Sequence, residues 1–254
     1  MLEYREIPPA TPLAAYVRCF WTLRAGRDEM PPQRILPDGS FDIVFHFGDR
    51  YRQNGSWQPQ AMFIGELRRP VLIEPSGRSD ILGLRFRPGG ASAFLRTPMS
   101  ELRDAILPLD LFAPLLADQI ADTSRARDRI ALLEQFLLQR LDPPDRRLEA
   151  AVRVITESSG RARIRTVAAY AGASERTLER LFENRVGLSP KGFARIARFQ
   201  AALRGDTSGY FDESHHIHEF RELSGLTPAQ LREEQSEMND HFVGNLQDAE
   251  GSIG

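Results

Sequence analysis

The feature that most constrains this chain is an internal repeat. Displacing the sequence by 38 residues lays "LFENRVGLSPKGF" (181–193) over "EFRELSGLTPAQL" (219–231). Phe182 then falls on Phe220, Gly187 on Gly225, Leu188 on Leu226, and Ser189-Pro190 on Thr227-Pro228. In each copy one helix is expected to end at the glycine, which tolerates positive φ, while the leucine plugs the turn. The hydroxyl residue then caps the next helix and the proline takes its first position, where a missing N–H costs nothing. Both copies are therefore read as helix, turn, helix.

Ahead of the first copy, Val167, Ala168 and Ala171 form one short apolar face and Leu178, Leu181 and Phe182 another, separated by "AGAS". Ser174 stands as N-cap of the second, arginine-bearing helix. A helix, a tight turn and a second helix is how a helix-turn-helix delivers a reading helix to the DNA major groove, although many helical hairpins share the pattern. The second copy departs from the first. The same displacement sets "IRTVAAYAG" (164–172) against "ALRGDTSGY" (202–210), which is too short and too glycine-broken for a helix. The second unit is thus expected to lack its leading helix, and with it a packing wall.

Charge sharpens the reading. The net charge is only −2, yet residues 146–204 hold 13 Lys or Arg against 5 Asp or Glu, leaving the rest of the chain acidic. A basic segment on an acidic protein suits a phosphate-binding surface, because neutralising phosphates releases condensed counterions. A solvated helical face would have the same composition.

Upstream, "LDPPDRR" (141–147) breaks helical periodicity and marks a boundary. Before it lie short apolar runs bounded by turns: Phe41 to Phe47, Ala61 to Leu67, Pro70 to Pro75 and Asp80 to Phe86, all read as strands. Helices are expected around Leu109 to Ile120 and Arg125 to Leu141. The fold class is therefore α+β: a β-barrel domain with trailing helices over 1–142, an all-α domain over 145–234, and a flexible tail over 235–254. No apolar run is long enough for a membrane span and the N-terminus has no signal-peptide pattern, so the cytoplasm is the expected location. The single cysteine, Cys19, has apolar neighbours and reads as a plain buried thiol.

"SERTLERLF…GLSPKGF" and "GYFDESH…F…GLTPAQLR" together resemble the DNA-binding domain of the AraC/XylS family of bacterial transcriptional regulators, from Arg146 to about Glu234. "LPDGSFDIVFHFGD" and "LGLRFRPGGASAFL" resemble the cupin-like sensor domain that many of these regulators carry. The resemblance implies two helix-turn-helix units joined by a long helix, here Ser189 to Arg204, that bind successive major grooves of double-stranded DNA. It assigns base reading in the first unit to Arg176, Glu179 and Arg180, and groove-facing positions in the second to Glu213, Ser214, Ile217 and His218. Lys191, Arg195 and Arg163 are the expected phosphate donors. The second helix should contribute less, since Asp212 and Glu213 bring negative charge towards phosphates. It further implies a small-molecule effector inside the barrel, with His46, Trp57 and Arg85 as candidate lining, and a homodimer as candidate assembly.

Other readings are open at some of these residues. His215, His218 and Glu219 share a helical face and could ligate a metal, but the repeat register gives His218 the place of Arg180, His216 that of Leu178 and Asp212 that of Ser174. No metal and no cofactor is therefore expected. "RPGG" (87–90) could hold an anion or simply turn a strand into a helix, and the arginines of "GELRRP" (65–70) could face a ligand or solvent. No Ser-His-Asp set, P-loop or dinucleotide-binding glycine pattern occurs, so no catalytic residue is assigned and the chain is not read as an enzyme. The alternative is a cupin-like small-molecule-binding or enzymatic protein whose helical domain no longer binds operators.

Overall fold

The computed structural model describes residues 2–27 and 29–237; most of the expected tail, 238–254, lies outside them. The N-terminal half is built from two antiparallel sheets. The larger contains β1 (Glu3–Ile7), β2 (Val17–Ala25), β4 (Asp42–His46), β7 (Ala61–Ile64), β9 (Ser79–Phe86) and β10 (Ile106–Pro108), in the order β1-β2-β9-β4-β7-β10. The smaller contains β3 (Gln33–Ile35), β5 (Arg52–Gln53), β6 (Ser56–Trp57) and β8 (Val71–Glu74), in the order β3-β8-β5-β6. Helices α1 (Pro114–Ala121) and α2 (Ala126–Leu138) follow where expected, the former after a short 3-10 turn.

The central strands β4 and β9 of the larger sheet are buried on both faces, which explains their near-continuous apolar runs. Along β4, Ile43 and Phe45 join Leu82, Leu84 and Phe86 of β9 in a core shared with Leu116, Ile120, Leu133 and Leu137 of the two helices. The alternate residues Asp42, Val44 and His46 face the smaller sheet across a cavity. Gly83 of β9 pairs with Trp21 of β2, and a Cβ there would stand 1.9 Å from the indole, so only glycine fits beneath that ring.

The helical half comprises α3 (Arg146–Glu157), α4 (Ile164–Tyr170), α5 (Glu175–Arg185), α6 (Pro190–Leu203), α7 (Glu213–Ser224) and α8 (Pro228–Glu237). Its core gathers Leu148, Ile155, Val167, Leu178, Phe182, Phe193, Phe199, Phe220 and Leu231. The start and stop signals act as the repeat requires. Ser174, Ser189 and Asp212 accept backbone N–H bonds as N-caps of α5, α6 and α7. Thr227 and Gln230 close a reciprocal capping box at α8, and Gly225 ends α7 at φ 77°.

Between α6 and α7 the chain runs through 204–212 without a helix, so the second unit does lack its leading helix. A partial substitute is present: Tyr210, in that connection, packs its ring 4.6 Å from His216 and lies beside the guanidinium of Arg198. Among the described residues no helix is long and apolar enough to cross a membrane.

The two halves touch extensively. Gly39, at φ +77°, lets the β-half approach Phe193 so closely that a Cβ would stand 2.7 Å from the ring. Gln200 of α6 donates to the Pro37 carbonyl at 2.7 Å and Arg185 of α5 to the Ser92 carbonyl at 3.0 Å. Arg34 of β3 pairs with Glu234 of α8 at 2.9 Å and also donates to the Ser224 carbonyl at the end of α7.

Candidate nucleic-acid interface and a cavity between the sheets

Helix α5 has two distinct sides. Leu178 and Phe182 are wholly buried and Leu181 half-buried, which fixes the helix against α3, α4 and α6. The 3.6-residue period then turns Arg176, Glu179 and Arg180 outward together, and all three are exposed. Arg176 and Arg180 make no ion pair among the described residues, so their donors remain available for an external acceptor. The cap places Ser174 at the exposed start of the helix, with Thr177 bonded to it. Arg163, at the N-cap of α4, and Lys191, in the first turn of α6, are exposed as well.

Arg195, the third expected phosphate donor, is already paired within the fold. Its guanidinium bonds the carboxylate of Glu219 at 3.2 Å and also that of Glu222. Arg198 binds the same Glu219 carboxylate through two donors, at 3.2 and 3.1 Å. Glu219 is only 5% exposed, and this cluster, with the Phe199–Phe220 ring contact at 5.0 Å, fastens α7 to α6 where a leading helix is absent. Sequence reasoning overlooked it because the partners lie 21 and 24 residues apart on different helices.

On α7 the side chains of Glu213, Ser214 and His218 are exposed, while Ile217 is half-buried. The His215, His218, Glu219 face is not one ligand set, since Glu219 is committed to arginines. Among the described residues no group of three or more His, Cys, Asp or Glu could hold a metal ion. His216 takes the place that the wholly buried Leu178 has in the first unit but is itself only half-buried; its Nε2 is buried without a partner, and burial lowers its pKa.

The second feature is the cavity of about 100 Å³ between the two sheets. Its walls are mostly apolar, with Trp21, Leu23, Ile35, Val44, Met62 and Ile81 prominent among them. His46 and Arg85 are among its lining residues. Trp57 is not: it is 47% exposed on β6, with the Arg52 guanidinium 4.4 Å from its ring. Inside, Arg85 pairs with Asp42 at 3.1 Å and lies 3.7 Å from Asp38. Burial pushes the Asp42 carboxyl up to about 6, with Arg85 pulling the other way. His46 is 1% exposed; its Nε2 faces Gln58 Oε1 at 3.2 Å and burial lowers its pKa to about 4.

"RPGG" turns β9 into a 3-10 segment, with Gly89 at φ 80° beneath Leu148 of α3. Arg68 of "GELRRP" pairs with Asp104 at 2.6 Å. Cys19 is buried, and desolvation raises its pKa to about 12, so the thiol stays protonated.

Two families match the chain. Residues 167–234, from within α4 through most of α8, match a helix-turn-helix domain, and residues 5–108 match a domain of unknown function, DUF6597. No curated protein matches. Among solved structures, the chain is similar to ToxT from Vibrio cholerae, with 8% identity, 84% of this chain and 97% of that chain covered, and a TM-score of 0.47. Unsaturated fatty acid bound wild-type ToxT from Vibrio cholerae strain SCE256 gives 10% identity, coverage of 91% and 94%, and a TM-score of 0.43.

Proposed function

We propose that this chain, whose residues 167–234 match a helix-turn-helix domain, is a sequence-specific transcriptional regulator of the AraC type that reads DNA mainly through α5 and answers to a small effector held in its β domain. We take 1–142 as the effector domain, with dimerisation as its other role, and 145–234 as the DNA-binding domain. One observation carries the reading: Arg176, Glu179 and Arg180 stand free on the side of α5 opposite its buried Leu178 and Phe182. An arginine has the planar fork that matches the O6 and N7 acceptors of guanine, worth about 1–3 kcal/mol per contact. Lys191 and Arg163 contribute phosphate contacts, and the groove-facing positions of α7, Glu213, Ser214, Ile217 and His218, contribute orientation more than affinity.

The effector's influence would travel through β3. Gln33 and Ile35 line the cavity while Arg34, between them, holds Glu234 and the end of α7. A ligand that shifts β3 thereby shifts the second unit relative to α5. The test is a mobility-shift titration with DNA from upstream of the protein's own gene. Arg176→Ala and Arg180→Ala should each weaken specific binding about 5- to 150-fold. Specific binding unchanged in both variants would refute the assignment. Absence of any specific complex from wild type would favour the second reading, a small-molecule-binding protein whose operator binding is lost, to which the acidic, shortened second unit lends support.

A further inference from the structure

The cavity between the sheets has features that define what it can hold. Among its lining residues the only charged pair is Arg85 with Asp42, and the two are already joined at 3.1 Å, with Asp38 next to them. An anionic ligand would have to take Arg85 from its carboxylates, and a cationic one would have to take Asp42 from its arginine. Either exchange strands a buried charge, which is costly in a low-dielectric interior.

The second feature is an unused acceptor. Gln58 donates its amide to Gln53 Oε1 at 3.2 Å, which turns its own carbonyl oxygen towards His46. An amide oxygen can only accept, so His46 Nε2 carries the proton and Nδ1 carries a lone pair. Nδ1 is buried and has no hydrogen-bond partner, in a side chain 1% exposed that lines the cavity. A buried acceptor left without a donor forfeits the hydrogen bonds it makes in water, and a ligand donor would restore one. Burial keeps that imidazole neutral down to about pH 4, so the lone pair persists across ordinary conditions.

The third feature is size and wall chemistry. The cavity of about 100 Å³ is smaller than the apolar cavity of about 150 Å³ that takes benzene, so it limits the ligand to a compact body no larger than about one ring. Tyr4, Trp21 and Tyr51 supply aromatic surface, and Met30 and Met62 supply adjustable contact. Resting on the reading of this cavity as the effector site, we propose that its ligand is a compact, uncharged molecule with an apolar body and one hydroxyl or N–H group that it donates to Nδ1 of His46.

The experiment uses the full chain and four probes of matched body in isothermal titration calorimetry: phenol, anisole, benzoate and benzylamine. Phenol should bind, anisole, which lacks the donor, about tenfold more weakly, and neither charged probe measurably. His46→Phe should bring phenol to the level of anisole while leaving anisole within about twofold, and Val44→Phe, which fills the cavity, should abolish binding of both. Failure of phenol to bind, equal binding of phenol and anisole, competition by benzoate or benzylamine for the phenol site, or phenol binding that survives Val44→Phe would each overturn the proposal. The wild-type probe series stands even if a variant fails to fold. A separate arm adds phenol to the DNA titration: binding that leaves DNA affinity unchanged refutes the effector role alone, with the ligand class intact.

Discussion

Glu66 offers a substitution that should make the protein more stable. It sits in the turn after β7, 0% exposed, and neither carboxyl oxygen has a hydrogen-bond partner. Burial, aided by Asp38 and Asp104 and opposed by Arg68 and Arg103, raises its pKa from 4.5 to about 9. At pH 7 the folded protein therefore carries a protonated Glu66, whereas the unfolded chain carries an ionised one. For a group with a raised folded pKa, the stabilising contribution is complete below 4.5 and is lost as pH rises through about 9. Between 4.5 and pH 7, at about 1.36 kcal/mol per pH unit, the loss comes to about 3 kcal/mol. Glutamine has nearly the same shape and is neutral in both states. Glu66→Gln should thus gain about 3 kcal/mol at pH 7 and almost nothing at pH 4. Urea denaturation of both proteins at pH 4, 7 and 8.5 measures it. A gain that does not grow with pH, or a loss at pH 7, would refute the reasoning.

His46 behaves in the opposite sense: its folded pKa is lowered from 6.5 to about 4, so its contribution is present above 6.5 and is lost as pH falls through 4. The stability of wild type relative to His46→Phe should fall by about 3 kcal/mol over that range, as read from paired urea curves; a constant difference would contradict it. Glu219→Gln should cost about 2 kcal/mol by weakening the hold on Arg195 and Arg198. Hydrogen exchange should then show lost protection in α7 before α5, and uniform loss across both helices would argue against a local clamp. In salt titrations of DNA affinity, Lys191→Ala should reduce the log–log slope by about one, while Arg195→Ala, whose charge is already paired, should leave it nearly unchanged; equal effects would put Arg195 back among the phosphate donors.

What could be read from the sequence was what local chemistry decides. Ser174, Ser189 and Asp212 cap helices because their own side chains reach the next turn, and Gly225 stops one because its φ is free. The absent helix at 202–210 was legible for the same reason: two glycines within nine residues disfavour that state. Distant partners were not legible. The strand Val17–Ala25 owes its place to β9, more than fifty residues downstream, and went unassigned from the sequence. Period-2 alternation showed that β4 and β9 have two faces but not which one meets the cavity, because both are buried. Trp57 is a candidate for the lining by sequence, yet its short strand puts it at the outer edge, where alternation alone cannot place it. Nothing near Arg195 in sequence announces Glu219 and Glu222 as its partners.

The central claim is that the complete helix-turn-helix around α5 carries DNA recognition while the shortened unit around α7 adds little. Nuclease footprinting of the wild-type protein on its operator tests this directly, since the two units would address successive major grooves about 34 Å apart. Strong protection over one half-site, with weak or no protection over the next, is the predicted pattern, and Arg176→Ala with Arg180→Ala should erase it. Equal protection of both half-sites, or a footprint that survives the double substitution, would contradict the account.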